Sequence, residues 1–161
     1  MIALLYSARQ RVVIVTPYFV PDEIFLQAME TAVQQGVTVD LVLSAKSNQR
    51  VTNLAQQSYY EQMLEMGIRI HLFMPRFLHA KHMSVDDEIA LIGSTNIDIR
   101  SFALNAELCL IIYDPKVIVD LRGIQDRYIA ESQLLISEQW RNRHRIVKII
   151  ENIARLGDSL L

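Results

Sequence analysis

The feature that most constrains the fold is an uninterrupted apolar run near the start of the chain, followed by an amphipathic helical pattern. The run Val12–Val15 lies within Arg11–Thr16 and is typical of a strand buried on both faces. Apolar residues then recur at helical spacing from Ile24 to Val33. Asp22 can cap such a helix and Gly36 can end it. A doubly buried strand that leads into a helix predicts a parallel sheet covered by helices.

The same alternation continues along the chain and then changes. A strand is predicted over Val37–Leu43, a helix over roughly Val51–Met66 ending before Gly67, and a strand over Ile68–Phe73. After Pro75, three strands lie close together in sequence, which favours antiparallel pairing: His79–Val85, Ile89–Ile92 and Leu108–Tyr113. Two further helices are predicted, Pro115–Glu131 and Ser137–Leu156. The prediction is an α/β fold with a mixed, partly parallel central sheet covered by helices on both faces.

Composition limits the domain count and the class of partner. The 161 residues are 51% hydrophobic and 21% charged, which indicates a single globular domain over residues 1–161. The formal net charge of −2 argues against a dedicated nucleic-acid binder, which is usually strongly basic. Cys109 is the only cysteine, so no disulfide framework exists, and its apolar surroundings predict a buried thiol. No apolar run reaches the ~18 residues of a membrane span.

One stretch carries a chemical motif. It reads His79-x-Lys81 with Asp86 five residues after the lysine. Along a strand, His79 and Lys81 face the same side about 6.5–7 Å apart, so one phosphate can touch both. A neutral imidazole can attack phosphorus, and a fixed ammonium can neutralise the developing negative charge. Asp86 falls on the opposite face and is therefore expected to be a structural residue that pairs or caps behind the site.

A second stretch, Gly93-Ser94-x-Asn96, follows the first after six intervening residues. Gly93 permits a tight turn or a close backbone approach. Asn96 can hold a phosphoryl oxygen, and Ser94 can do the same or brace the loop. A histidine nucleophile needs an acceptor on its second ring nitrogen, and Glu107, which opens the next strand, is the best candidate for that acceptor.

These residues resemble the phospholipase D superfamily, whose motif pair they match in type and spacing. The wider resemblance is to the C-terminal catalytic half of bacterial cardiolipin synthases, and it covers about residues 5–160. It is carried by the segments Thr16–Asp22, Asn96–Phe102 and Asn105–Glu107, and by Trp140. The resemblance implies a phospholipase D-like half-domain that needs no metal or cofactor. It also implies transfer of a phosphatidyl group between phosphatidylglycerol molecules through a phosphohistidine, with release of glycerol.

The motif occurs once, although the family's reaction uses two histidines on opposite sides of phosphorus. The other histidines fit poorly: His82 has the wrong parity, His71 lies on a different strand, and His144 lies among arginines. The second motif is expected from a homodimer mate or from a missing N-terminal half. We expect His79 to be the nucleophile, although the general-acid role remains open. A homodimeric phospholipase D-like nuclease and an inactive isolated half-domain are the alternatives.

Several other residues have two interpretations each. Tyr18 follows the first strand, where ligands bind in parallel sheets, so it either contacts the headgroup or phosphate or packs in the core. Arg100 and Asp98 either brace the loop as an ion pair or contact substrate. The polar segment Ser47–Arg50 resembles a substrate-side loop, but polarity alone is weak support.

A basic amphipathic helix is predicted at about residues 137–157. Its basic residues are Arg141, Arg143, Arg145, Lys148 and Arg155, and its apolar stripe is Ile146, Ile149, Ile150 and Ile153. Such a helix can lie on an anionic membrane, or it can dock on its own domain or a partner. The expected location is the cytoplasmic side of a bacterial cell membrane, with peripheral association.

Overall fold

The computed structural model describes residues 1–98, 101 and 104–156. Its helices are α1 (Ile2–Ser7), α2 (Glu23–Gln34), α3 (Arg50–Ser58), α4 (Tyr60–Glu65), α5 (Pro115–Ala130), α6 (Ser137–Arg141) and α7 (Arg145–Leu156). None of the helices in these ranges is long and apolar enough to cross a membrane. Its strands are β1 (Arg11–Thr16), β2 (Phe19–Val20), β3 (Thr38–Ser44), β4 (Arg69–Phe73), β5 (His82–Val85), β6 (Ile89–Gly93), β7 (Ile97–Asp98), β8 (Cys109–Ile112) and β9 (Ser132–Leu134).

Seven of these strands form one sheet in the order β8-β6-β5-β1-β3-β4-β9. Three adjacent strands, β1, β3 and β4, are parallel. The remaining neighbours pair antiparallel, including β5 with β1 and β9 with β4. The predicted mixed, partly parallel sheet is therefore confirmed. Strands β2 and β7 form a separate parallel pair.

Helices cover both faces of the sheet, as predicted. On one face, Val12, Ile14 and Leu41 join the main core with residues of α1, α2, α3 and α4. On the other face, Val13 and Val15 pack near residues of α5. This alternation follows from the two-residue period of a strand, and it explains why the Val12–Val15 run is apolar throughout.

The start and end of α2 follow the predicted local signals. The Asp22 carboxylate accepts a hydrogen bond of 2.7 Å from the backbone N–H of Phe25, and Gly36 after the helix has a φ of 87°. The predicted helix Val51–Met66 is instead two helices, α3 and α4, which meet at Tyr59. The single helix expected at residues 137–157 is also two helices, α6 and α7.

The break between α6 and α7 is stabilised by Arg143. Its guanidinium lies 3.3 Å from the centre of the Trp140 ring. It also donates two hydrogen bonds, of 2.6 and 2.9 Å, to the buried carboxylate of Glu151. The arginine thus joins the end of one helix to the middle of the next, which a single continuous helix would not allow.

A cluster of charged residues around the buried Asp40 lies near the start of the three parallel strands, on the α5 face. The Asp40 carboxylate is 1% exposed and accepts hydrogen bonds from Arg11, Arg69 and His71 at 2.8–3.1 Å. Burial alone would raise the pKa of Asp40, but these hydrogen bonds and the Arg69 charge hold it well below its usual range. The cluster ties β1, β3 and β4 together.

The expectation of a buried Cys109 is wrong. Cys109 is exposed on β8, which pairs with β6 and forms one edge of the sheet in the described part of the chain. An apolar run is usually buried, but an edge strand has no neighbour on its outer side. Leu108, Leu110, Ile111 and Tyr113 are exposed along the same strand and its flanks, so β8 presents an apolar edge.

Candidate active site

His79 and Lys81 lie just before β5, at the edge of the sheet where β1 ends. The predicted strand begins later than expected, at His82. The alternation still holds, because both side chains point to the same side: Lys81 Nζ is 3.2 Å from His79 Nε2 and 3.5 Å from Nδ1. The imidazole and the ammonium therefore share one small volume, in which a single phosphate can touch both.

The surroundings of His79 favour the neutral imidazole. Desolvation by neighbouring atoms and the charge of Lys81 lower the pKa of His79 from its ordinary value. The pKa of Lys81 is also lowered by burial, although the charges of Glu107 and Asp98 oppose this. A neutral imidazole has a free electron pair, which is the form that can attack phosphorus.

The Gly93–Asn96 turn lies beside this pair. The Gly93 N–H donates to the Lys81 carbonyl at 3.1 Å, and the Ser94 N–H donates to the Leu108 carbonyl at 3.0 Å. The Asn96 side-chain oxygen is buried and has no hydrogen-bond partner among the described residues. The Asn96 amide therefore has hydrogen-bonding capacity that the described residues do not use, and its contact with a phosphate stays a prediction.

Position 93 requires glycine because atoms of the neighbouring strand lie too close for a side chain. A Cβ atom there would lie 2.5 Å from both the Leu108 carbonyl oxygen and the Cys109 sulfur. We expect Gly93→Ala to cost about 1–3 kcal/mol in the free energy of unfolding, because neighbouring backbone must move. The control is Gly123→Ala in α5, where a Cβ meets nothing within 4 Å and a gain of up to about 1 kcal/mol is expected. Urea unfolding of both variants tests this, and equal stability of the two would contradict it.

The hydrogen bond expected from the His79 ring to the Glu107 carboxylate is not among those that the described residues form. The Glu107 carboxylate instead accepts a hydrogen bond from the Ser94 hydroxyl, and the same hydroxyl accepts from the Leu108 N–H at 3.1 Å. The physical reason is local: residues 107 and 108 are held against the turn by Ser94, so the Glu107 side chain stays there. Its charge still reaches the site, because it acts on Lys81.

Asp86 lies at the opposite end of β5 from His79. It accepts hydrogen bonds from the backbone N–H groups of Arg9, Gln10 and Arg11 at 2.8–3.0 Å, and its own φ is 50°. Burial raises the pKa of Asp86, but the three donors outweigh it and the net pKa is lowered. The carboxylate thus joins the β5–β6 turn to the start of β1, far from any phosphate bound at His79.

Asp86→Ala is expected to lower the free energy of unfolding by about 2 kcal/mol at neutral pH, because three donors lose a charged acceptor. Since the folded-state pKa lies below that of the unfolded chain, this stabilisation is full above about pH 4 and is lost as the pH falls further. The neighbouring Asp87 is exposed and pairs only with Arg122, so Asp87→Ala is the control and should change little. Chemical unfolding at pH 7 and pH 3 checks both; a pH-independent effect of Asp86→Ala would contradict this account.

Aromatic rings pack next to His79. The Phe77 ring lies 5.5 Å from the His79 ring, and the Tyr18 ring lies 6.1 Å from Phe77. Tyr18 is buried, and its hydroxyl is hydrogen-bonded to Asn48. The sequence interpretation missed Phe77, although residues 77, 79 and 81 share one face of an extended segment and alternation could have found it.

The other histidines are occupied elsewhere or exposed. His71 Nε2 is 2.8 Å from Asp40. His82 is buried, and its ring nitrogen Nδ1 lies 3.1 Å from the side-chain nitrogen of Gln125. Burial lowers the pKa of His82 to about 4. His144 is exposed between α6 and α7. Within the described residues, therefore, no second histidine faces His79.

The sequence also singled out Asp98 and Arg100 in the loop after the turn. Arg100 lies outside the described residues, and the Asp98 carboxylate accepts a hydrogen bond of 2.6 Å from the Ser101 N–H. In the part of the chain that the structure describes, no three His, Cys, Asp or Glu side chains converge as metal ligands.

Comparison with known sequences identifies the family. Residues 1–128 match the family described as "Cardiolipin synthase, PLD-like domain". The chain belongs to this phospholipase D-like family. It is 40% identical over 146 residues to a cardiolipin synthase A of Serratia proteamaculans, which covers 89% of this chain and 30% of that protein. A cardiolipin synthase A of Pectobacterium carotovorum is 37% identical over 156 residues, 97% of this chain and 32% of that protein.

The resemblance inferred from the motif residues is thus confirmed, and the chain carries a phospholipase D-type enzyme domain. The chain spans about a third of the length of these curated relatives. Solved structures share the fold. The phospholipase D family member Nuc from Salmonella typhimurium matches with a TM-score of 0.72 at 19% identity, over 83% of this chain and 87% of that chain. Phosphatidylserine synthase from Haemophilus influenzae matches with a TM-score of 0.77 at 20% identity, over 99% and 42% respectively.

Proposed function

We propose that residues 1–161 form the catalytic domain of a cardiolipin synthase-type phosphatidyltransferase. The substrate is phosphatidylglycerol, and the phosphatidyl group passes to a second phosphatidylglycerol through a phosphohistidine. The observation that carries this proposal is the 3.2 Å approach of Lys81 Nζ to the imidazole of His79, whose lowered pKa favours the neutral form. The relatives named cardiolipin synthase A support the choice of lipid substrate.

The first step forms a nitrogen–phosphorus bond between His79 and the phosphodiester, and the bond from phosphorus to the glycerol oxygen breaks. A second histidine gives its proton to the departing glycerol. In the second step, that histidine takes the proton of the incoming phosphatidylglycerol hydroxyl, whose oxygen displaces His79. Lys81 and Asn96 hold the non-bridging oxygens as their charge grows, and Glu107 braces the turn through Ser94.

The second histidine belongs to a second copy of the motif, since in-line displacement needs acid and nucleophile on opposite sides of phosphorus. The exposed apolar edge formed by β8 and its flanks is a fitting surface for that partner. A homodimer mate or the N-terminal half of a longer chain would supply it. In either arrangement the enzyme sits at the cytoplasmic side of a bacterial membrane, in peripheral contact with its lipid.

The proposal is tested by product analysis combined with light scattering. A dimeric preparation given phosphatidylglycerol vesicles should release glycerol and form cardiolipin, whereas a monomeric one should do neither. Plasmid DNA in chelator should remain intact, in line with the net charge of −2. A dimer that cuts DNA and releases no glycerol would replace this proposal with a nuclease; a dimer inert on both would reduce the domain to an inactive half.

A further inference from the structure

Helix α7 packs its polar face against the domain and exposes its apolar face. Its exposed aliphatic residues, called here the α7 stripe, are Ile146, Ile149, Ile150, Ile153 and Leu156. An amphipathic helix on a globular protein ordinarily shows the reverse arrangement. A stripe of five exposed aliphatic side chains on one helix is a surface that another apolar phase normally covers.

Polar contacts fix this orientation. Lys148 Nζ is 2.7 Å from the Glu61 carboxylate of α4. Glu151 is 2% exposed and is held by both guanidinium nitrogens of Arg143. The Arg155 guanidinium lies 4.1 Å from the centre of the Tyr59 ring. Positions 148, 151 and 155 share one face of the helix, so rotating α7 to bury the stripe would break all three contacts.

The β8 edge, which we propose receives the second motif, lies elsewhere. β8 forms one edge of the sheet and β9 the other. α7 follows β9 in the chain and packs along α3. A partner seated on the β8 edge to complete the His79 site therefore leaves the α7 stripe open, and the stripe needs an occupant of its own.

The local charge and chemistry indicate what that occupant is. Of the five basic residues in the range 141–156, four already contact Glu65, Glu151, Glu61 and the Tyr59 ring, so the charge beside the stripe comes from Arg145. Arg145 has no ion pair among the described residues and lies one helical turn before Ile149, at the margin of the stripe. The stripe itself is entirely Ile and Leu, without the Trp, Tyr or Arg that anchor protein interfaces. Aliphatic side chains bordered by arginine suit an anionic lipid surface.

We infer that the α7 stripe docks the domain on the surface of an anionic bilayer, with Ile149 and Ile153 inserted among the lipids and Arg145 at the headgroups. The inference rests on the proposed function in one respect only, that the substrate resides in such a bilayer. It adds which surface of the domain meets the lipid, and it holds the His79 site at a set orientation to the membrane.

The test is flotation of the full chain with vesicles of phosphatidylcholine, with and without phosphatidylglycerol. Wild type should bind the anionic vesicles, and the double variant Ile149→Gln/Ile153→Gln should bind at least about tenfold more weakly. The matched control is Ile24→Gln on α2: Ile24 is 60% exposed, against 57% and 62% for the two stripe residues, and its replacement should leave binding unchanged. Arg145→Gln should weaken binding to anionic vesicles only.

Unchanged binding of the double variant, or equal loss in Ile24→Gln, would overturn the inference. A wild-type dimer that the double variant converts to monomers would also overturn it, because the stripe would then be covered by a second copy. Binding is measured without turnover and repeated with His79→Ala, which should float like wild type. Absence of glycerol release from a dimeric preparation with stripe-dependent flotation would therefore reject the proposed function alone, and the reverse result would reject the docking surface alone.

Discussion

Replacing His79 by alanine is expected to abolish glycerol release from phosphatidylglycerol, with a fall in rate of at least about a thousandfold. The reason is that the reaction divides into two steps only if a nucleophile holds the phosphatidyl group between them. Neither Lys81, which is charged, nor Asn96, which is neutral and non-nucleophilic, can take over. The measurement is the initial rate of glycerol release by a two-motif preparation.

The control for this substitution is His144→Ala. His144 is exposed in the connection between α6 and α7, so its loss should leave the rate unchanged. Because His79 is exposed too, neither variant should lose stability, and thermal unfolding verifies that. A His79→Ala enzyme that keeps a substantial part of the wild-type rate would show that the histidine does not carry the phosphatidyl group.

The second large effect concerns stability. Asp40→Ala is expected to lower the free energy of unfolding by about 3 kcal/mol, because Arg11, Arg69 and His71 all lose a buried, charged acceptor. The low folded-state pKa of Asp40 means that its contribution is full above about pH 4 and disappears as the pH falls below that value. The variant should therefore lose less stability than wild type between pH 5 and pH 2.

Asp126→Ala is the matched control for Asp40→Ala. Asp126 also pairs with Arg11, at 3.1 Å, but it is 58% exposed, and exposed pairs contribute at most about 1 kcal/mol. Urea unfolding of the three proteins at several pH values distinguishes the two carboxylates. Equal losses of stability in Asp40→Ala and Asp126→Ala would contradict the claim that burial makes the contacts of Asp40 the more stabilising ones.

Local signals predicted the parts of the fold that local chemistry determines. The boundaries of β1 and α2 follow from the apolar run, the Asp22 cap and Gly36, all of which act within a few residues. The break between α6 and α7 could not be predicted in this way, because it depends on the contact of Arg143 with Glu151. Cys109 was misplaced for a similar reason: its burial depends on strand order, which the apolar run itself does not encode.

The same distinction applies to the site. Alternation along the strand predicted that His79 and Lys81 share one side, since that is a property of neighbouring residues. It did not predict that Glu107 would bond to Ser94, because the side chain is positioned by the pairing of residues 94 and 108. Asp86 was excluded from the phosphate by parity, whereas in the structure its position at the far end of β5 is the stronger reason.

The most direct test of the central claim is to trap the covalent intermediate. A dimeric preparation is mixed with isotopically labelled phosphatidylglycerol and stopped in denaturant at alkaline pH, where a phosphorus–nitrogen bond survives. Peptides are then analysed by mass spectrometry. The account predicts a labelled phosphatidyl group on the peptide that contains His79, and none after His79→Ala. Glycerol release with the label on another residue, or with no labelled peptide, would contradict it.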